Sequence, residues 1–510
     1  MKYAFARSLG RISVAHLWAL VVLMAMLWMG MGTPLPPLDF WWHLKAGEVI
    51  WTTGSIPHVD TFSFTAWGQN FVYQNWLSEI IFYLTYLIGG FPLLIFLHAA
   101  TIALSFGVVL WLSWLVTDSP RMAALCTLAG EVLAIRFTNA RPQVFSMLFF
   151  AIFYFVLQRY RRCPGRETWL LVPLMGLWVN VHGAFVLGMG LVALFTGTKL
   201  VKALFAKQGA LSHRQIVHLG LIFLLLILAS LLNPEGWRVY TYVWDVQTDP
   251  ASQKLVTEWQ PPSVRNPGDM PFFAAIFLGF LTFIYSAKRD LTNLVLFCVF
   301  AALGLASLRG IIWFALILPP ILTVQLKELD LVPIRRALGR WRAHGNSMPR
   351  ASAHPVLNLM LIVLLAGITL LLSPWVRPVL PFPRLRSELV DPRIPREAME
   401  FIAREGIQDH IFHPQEVGDY LIWRLYPQQH SFIDGRVHLY REEFCRDYLR
   451  ILNGCGWEEL LAKYSVEWVL LPQDEGNGLL KQGLEEARGW EWIYQDSQAI
   501  VYRRISPGKD

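Results

Sequence analysis

Charge is what this chain lacks. Asp, Glu, Lys and Arg make up 16% of its 510 residues, against about 25% in ordinary soluble domains. So few charges cannot cover a water-facing surface of that size, which excludes a disordered chain, a coiled coil and a plain cytosolic enzyme. Cysteine is also sparse: five residues with no CxxC pair provide neither a disulfide framework nor a metal knuckle. Cys445 and Cys455 are close enough in sequence for one local bridge or two unrelated thiols. Solenoid-period repeats and low-complexity stretches are absent too.

Apolar residues fill the chain instead. They amount to 55%, with 22 Trp and 32 Phe, and mean hydropathy is +0.41. They fall in runs of about 17–25, long enough to cross a hydrocarbon core as helices. The expected fold class is an α-helical polytopic membrane protein of roughly eleven spans, the first at 14–32 and the rest starting near 91, 122, 143, 168, 184, 216, 271, 291, 310 and 354. The apolar stretch Trp76–Ile88 is short and reads as an interfacial or re-entrant helix leading into the second span.

The net charge of +7 sits in short loops: Arg159, Arg161, Arg162 and Arg166; Lys199, Lys202, Lys207 and Arg214; Lys288 and Arg289; then Lys327, Arg335, Arg336, Arg340, Arg342 and Arg350. This is a positive-inside pattern and calls for no nucleic acid. With the N-terminus (Lys2, Arg7, Arg11) in the cytoplasm, every cluster stays inside. Three stretches then face out: 33–75, 233–270 and the tail after 373. The expected domains are a membrane domain, 1–373, and an extracytoplasmic α/β domain, 374–510, long enough to bury a core of its own. In the tail, Arg396–Arg404 and Glu442–Leu452 read as helices and Ser431–Ile433 and Val466–Leu471 as strands. Trp490–Tyr494 and Ala499–Arg503 read as a hairpin.

The polar residues at the outer ends of the spans come from distant stretches: Asp39, His43, His58 and Asp60 in the first loop; Glu131, Arg136, Arg141 and Gln143; Asn180 and His182; Asn233 and Glu235; Arg309. Ionisable groups at membrane depth face a cavity or a partner, so these imply a polar cavity opening outward. Each has a plainer reading. Asp39 could cap the helix from Phe40, Asp60 could hold a turn, and Arg141 and Arg309 could snorkel. His182 could cap or pack, and Trp41, Trp42, Trp51 and Trp67 could form an interfacial belt. Phe432-Ile433-Asp434-Gly435-Arg436 reads as a strand entering an Asp-Gly turn. Such a cavity suits sugar transfer from a lipid phosphate: an Arg clamps the phosphate and a carboxylate takes the acceptor's proton. The metal expectation is none, since Asp39, His43, His58 and Asp60 match no ligand spacing, although a divalent ion remains compatible.

A long first outer loop with an acid soon after the first span, a helix leading to the second span and an outer C-terminal domain resemble the GT-C superfamily of polyprenyl-phosphate-dependent membrane glycosyltransferases, including protein O-mannosyltransferases and aminoarabinose transferases. The run Asp39-Phe40-Trp41-Trp42-His43-Leu44, with Arg-Pro-Gln and Asn-Val-His-Gly, also resembles a widespread group of bacterial membrane proteins. The resemblance implies a bacterial cytoplasmic-membrane enzyme with Asp39 or Asp60 as general base, and His43, His58, Arg141, Gln143, Asn180, His182 and Arg309 binding substrate. Its partners would be membrane lipid, a polyprenyl-phosphate sugar donor and a saccharide, lipid or protein acceptor. Many members carry two adjacent acids where this chain has Asp39 followed by Phe-Trp-Trp. A transporter or flippase, for which Pro319-Pro320 would break a span, and an inactive scaffold of the same shape are the competing readings.

Overall fold

An apolar run in hydrocarbon must satisfy its backbone internally, and so folds as helix. The computed structural model describes residues 14–137, 139–205, 212–287, 290–329, 355–381, 388–473 and 478–505. Lys2, Arg7, Arg11, Lys207, Lys288, Arg289 and the basic residues of 335–350 lie outside them. Among the described residues seven helices are long and apolar enough to span: Val14–Gly32, Trp76–Thr117, Gln143–Arg162, Phe185–Leu204, His213–Ser230, Pro267–Tyr285 and Leu308–Lys327. Leu291–Ala306 and Val356–Leu371 are shorter apolar helices. The expected spans near 122 and 168 are helices of 15 and 8 residues. At 1.5 Å per residue the longer of them rises only about 22 Å, less than a hydrocarbon core. The protein is a multi-pass membrane protein.

The helix Trp76–Thr117 is two helices in series. Its backbone leaves helical geometry at Gly89 and Gly90, where φ is +62°, and Pro92 opens the second part. Glycine adopts that φ without strain, and proline suits a first helical turn. Pro319-Pro320 has no comparable effect: the helix Ile311–Lys327 runs through the pair with both residues buried, and the break expected there is absent.

The tail carries a four-stranded sheet in the order β1-β2-β4-β3. β1 (His410–Phe412) runs parallel to β2 (Val466–Pro472), and β4 (Ala499–Arg504) is antiparallel to both β2 and β3 (Trp490–Gln495). The expected hairpin is β3–β4. The expected strand at 431–433 is a single bridge from Ser431 to Ser63, because that segment pairs with the loop 33–75 instead of the sheet. The tail's apolar cores are also shared with that loop. Trp42, Phe62 and Phe71 pack with Phe432, Ile433, Tyr440 and Tyr502, and Phe40, Trp41 and Leu44 with Ile394, Met399, Tyr420 and Leu470. All five cysteines are free thiols.

Candidate active site

Asp39 stands at the N-cap position of the helix Phe40–Thr53, but its side chain makes no cap hydrogen bond. The capping role expected of it is therefore unfilled, and its carboxylate turns to Arg141, whose Nε lies 3.7 Å from Oδ2. Arg141 comes from the Arg-Pro turn that opens the helix Gln143–Arg162. Its Nη1 donates to both oxygens of Glu258, at 2.7 and 2.6 Å. Arg309 donates through Nε to the same carboxylate at 3.0 Å and lies over the Trp259 ring at 4.6 Å. Asp39, Arg141, Glu258 and Arg309 thus form a chain of alternating charge drawn from four stretches of sequence. Burial alone would raise the Glu258 carboxyl, but Arg141 and Arg309 overcome it and hold it below the usual range. Burial likewise opposes the charge on Arg141, yet Asp39 and Glu258 keep it firmly protonated.

These groups line one cavity of about 600 Å³ at the mouth of the bundle, together with Trp42, His43, Gln143, His182 and Trp313. The tail closes its other side with Glu416, Asp419, Gly435 and His438. Asp419, on the helix Gln415–Leu425, accepts a hydrogen bond from Gly435 N at 2.8 Å. Burial first, then the charges of Asp39 and Asp434, push its carboxyl well above the usual range, so it holds its proton beside Asp39. Gly435 lets the two acids approach it: a Cβ here would push the Asp39 side chain aside and press on Asp419 Oδ2. Trp42 Nε1, Asn75 Oδ1 and Arg141 Nε are buried with no hydrogen-bond partner among the described residues. All three residues line the cavity. Buried polar atoms left unpaired are costly, which marks this space as shaped for a polar ligand.

Of the residues expected to bind substrate, His43, Arg141, Gln143, His182 and Arg309 line the cavity. His43 Nδ1 also meets Glu79 Oε1 at 2.9 Å. His182 Nδ1 accepts from Ala184 N at 3.2 Å; burial, then Arg309 and Arg141, push its pKa down to about 3, so it is a neutral hydrogen-bonding group.

Three expectations are corrected. Asp60 is fully buried away from the cavity. Its carboxylate accepts from Phe62 N and Ser63 N, each at 3.1 Å, and pairs with Arg436 at 2.6 Å, so it holds a turn and an ion pair and has no access to a substrate. His58 points to the surface, its side chain 74% exposed and 3.4 Å from Glu235. Asn180 is a structural latch: its Oδ1 accepts from Trp76 Nε1 at 2.8 Å and from Asn233 Nδ2 at 3.3 Å. The belt reading also fails for Trp41 and Trp42, both buried, while Trp51 and Trp67 are exposed. Glu258 and Asp419 were missed. Glu258 sits in a 3-10 turn, Thr257–Trp259, too short to show periodicity, and Asp419 in an amphipathic tail helix where an acid reads as solvent-facing.

Buried histidines give the protein a stability that depends on pH. Burial pushes His413 and His438 down to about 4, alongside His182. The unfolded chain takes up these protons near pH 6.5 and the native state does not. The stabilisation is therefore complete above 6.5 and is lost as pH falls toward 4, by about 1.4 kcal/mol per pH unit for each group. Asp419 works in the opposite sense, because its raised carboxyl pKa lets the native state hold a proton more readily than the unfolded chain does. The apparent Tm at pH 5 is expected below that at pH 7.5; an equal or higher value would contradict the buried neutral imidazoles.

No protein-family model and no curated protein matches the chain. Solved structures do. The oligosaccharyltransferase AglB from Archaeoglobus fulgidus, in complex with an inhibitory peptide and a dolichol-phosphate, superposes with TM-score 0.54 at 13% identity over 96% of this chain and 74% of its own. The protein has the GT-C fold. ArnT from Cupriavidus metallidurans in the apo state shares this GT-C architecture almost end to end: TM-score 0.51, 14% identity, 97% of this chain and 99% of that one. The mycobacterial arabinofuranosyltransferase AftD gives TM-score 0.54 at 13% identity over 95% of this chain but 41% of its own. The cavity lies between the loop 33–75, the span ends and the tail.

Proposed function

We propose that the protein is a membrane glycosyltransferase that moves a sugar from a polyprenyl-phosphate donor to an acceptor hydroxyl on the extracytoplasmic side. The observation that carries this reading is the Asp39 carboxylate beside Arg141, whose Nε has no hydrogen-bond partner among the described residues, in a cavity that Trp42, Trp259 and Trp313 also line. The likeness to AglB, solved with a dolichol-phosphate, supports a donor of that chemical class. The acceptor is a saccharide, lipid or protein.

In this reaction the acceptor oxygen bonds to the anomeric carbon as the bond from that carbon to the phosphate oxygen breaks. Asp39 takes the acceptor's proton, and the lipid monophosphate leaves with the electron pair. Arg141 and Arg309 receive the phosphate, with Glu258 keeping both guanidinium groups in place until it arrives. Trp42 and Trp259 offer flat apolar faces to the sugar, while Leu187 and Leu303 on the bundle side suit the first prenyl units. The tail helix with Asp419 closes the acceptor side. The reaction is proposed to need no metal because Arg141 and Arg309 already supply cations at the site.

Arg141→Lys tests the clamp. A lysine keeps the charge but loses the planar fork. The loss of one or two charged hydrogen bonds, about 1.5–3 kcal/mol, predicts a donor KM raised by roughly ten- to a hundredfold. Transfer measured with purified protein and polyprenyl-phosphate sugars would refute the clamp if KM did not move. In the same assay wild-type transfer is expected to persist in chelator; loss restored by Mg²⁺ or Mn²⁺ would overturn the metal-free mechanism.

A further inference from the structure

His43 stands one helical turn after Asp39, its N–H donating to the Asp39 carbonyl at 3.2 Å, so both side chains rise from one face of the helix Phe40–Thr53. Both residues line the cavity. The His43 ring is fixed from two sides. Trp42 lies against it with ring centroids 3.7 Å apart, and its Nδ1 meets Glu79 Oε1 at 2.9 Å. Nδ1 is therefore taken, and the nitrogen left for the cavity is Nε2, which makes no hydrogen bond among the described residues. Glu79 is 1% exposed, on the first turn of the helix Trp76–Thr117, and its Oε2 has no hydrogen-bond partner among the described residues. A carboxyl buried in this way is costly. Gly47, one turn beyond His43, makes room for it, since a Cβ there would run into the Glu79 carbonyl. Burial, the strongest influence, lowers the His43 pKa; Glu79 opposes this, while His182 and Arg141 reinforce it, so the ring is neutral.

We propose that Glu79 accepts a hydrogen bond from His43 Nδ1–H and so turns the Nε2 lone pair to the substrate, where it accepts from the sugar hydroxyl next to the anomeric carbon. This narrows the donor class to sugars that carry a free hydroxyl at that carbon, and it rests on the sugar transfer proposed above. Residues one turn apart on a helix hold their Cβ atoms about 5–6 Å apart. Asp39 can then reach the acceptor hydroxyl at the reacting carbon while His43 reaches the neighbouring position. As the reacting carbon gains positive charge, the adjacent hydroxyl becomes more acidic and its hydrogen bond to Nε2 strengthens. The contact is thus worth more in the transition state than in the bound donor, and it raises the rate. Glu79 touches no substrate and is a positioning residue, setting the tautomer and the ring orientation.

The test compares each undecaprenyl-phosphate sugar that the purified full chain transfers with its 2-deoxy counterpart. The ratio of kcat/KM, hydroxy over deoxy, is expected to be about tenfold higher in wild type than in His43→Asn, which keeps a group at the Nδ1 position and loses Nε2. His43→Gln, which returns an acceptor near the Nε2 position, should recover part of the ratio. Glu79→Gln should lower it, because an amide can face Nδ1 with its oxygen or its NH2 and no longer selects one tautomer. A pair that only packs would slow both donors alike, and an unchanged ratio in His43→Asn and Glu79→Gln would sink the proposal. Wild-type protein that transfers the 2-deoxy donor as fast as the parent sugar would do the same, with no variant needing to fold. Failure to transfer any sugar removes the proposed reaction itself, whereas transfer with an unchanged ratio removes only the hydroxyl contact.

Discussion

Asp39→Asn is expected to lower kcat for transfer by about 10²–10⁴, the usual contribution of a positioned base, and to leave the fold intact. The amide matches the carboxylate in shape but cannot take a proton from the acceptor. The native carboxylate makes no cap hydrogen bond, and its distance to Arg141, 3.7 Å, is a loose electrostatic contact, so little stability is lost. Asp419→Asn provides the contrast. Asp419 already holds its proton in the native protein, so an amide that still accepts from Gly435 N should keep most of the transfer. Steady-state rates for both variants, with thermal unfolding as the control, separate the two acids. Wild-type turnover by Asp39→Asn would remove Asp39 as the base and leave a scaffold of GT-C shape.

Arg436→Gln is expected to destabilise the protein by at least about 3–5 kcal/mol, a large part of the 5–15 kcal/mol typical of a folded domain. Arg436 is completely buried. It binds Asp434 through Nε at 2.9 Å and Nη2 at 2.6 Å, and Asp60 through Nη1 at 2.6 Å. The rings of Phe62 and Phe71 lie 5.2 and 5.1 Å from the guanidinium. Tyr440 adds a hydrogen bond to Asp434 at 2.9 Å. Replacing the cation leaves two buried carboxylates facing each other. Because Asp60 belongs to the loop 33–75 and the other two to the tail, the expected result is a tail that comes off the loop: a lower Tm and faster proteolysis of the tail. Exchanging all three for apolar residues (Asp60→Leu, Asp434→Leu, Arg436→Met) should recover much of the loss, since three ions need no longer be desolvated. A single variant as stable as wild type would show that the buried ions do not hold the two segments together.

The same triad shows where reading the chain alone stops. Asp60 and Asp434-Gly435-Arg436 were both legible as turn chemistry, since Asp beside Gly is a local signal. Nothing local indicates that residues 376 positions apart neutralise each other. The polar residues at the span ends divide in the same way. Their sidedness was readable because charge in an apolar helix is expensive wherever it lies. Their separation into cavity and latch was not: Asn180 and Arg141 both stand at span ends in the sequence, yet one ties Trp76 to Asn233 and the other bridges Asp39 and Glu258 in the cavity wall.

The amino-acid pattern by itself determined that the chain crosses a membrane, that Trp76–Ile88 precedes the second span, and that an α/β tail follows. It did so because hydrophobic run length, glycine and proline act within a few residues of themselves. Only the tertiary structure decided that Asp39 and not Asp60 meets the cavity, that Glu258 links two arginines, and that the tail supplies Asp419. Each of these follows from which distant carboxylates and guanidinium groups are left next to one another once apolar surface is buried, and that is a property of packing.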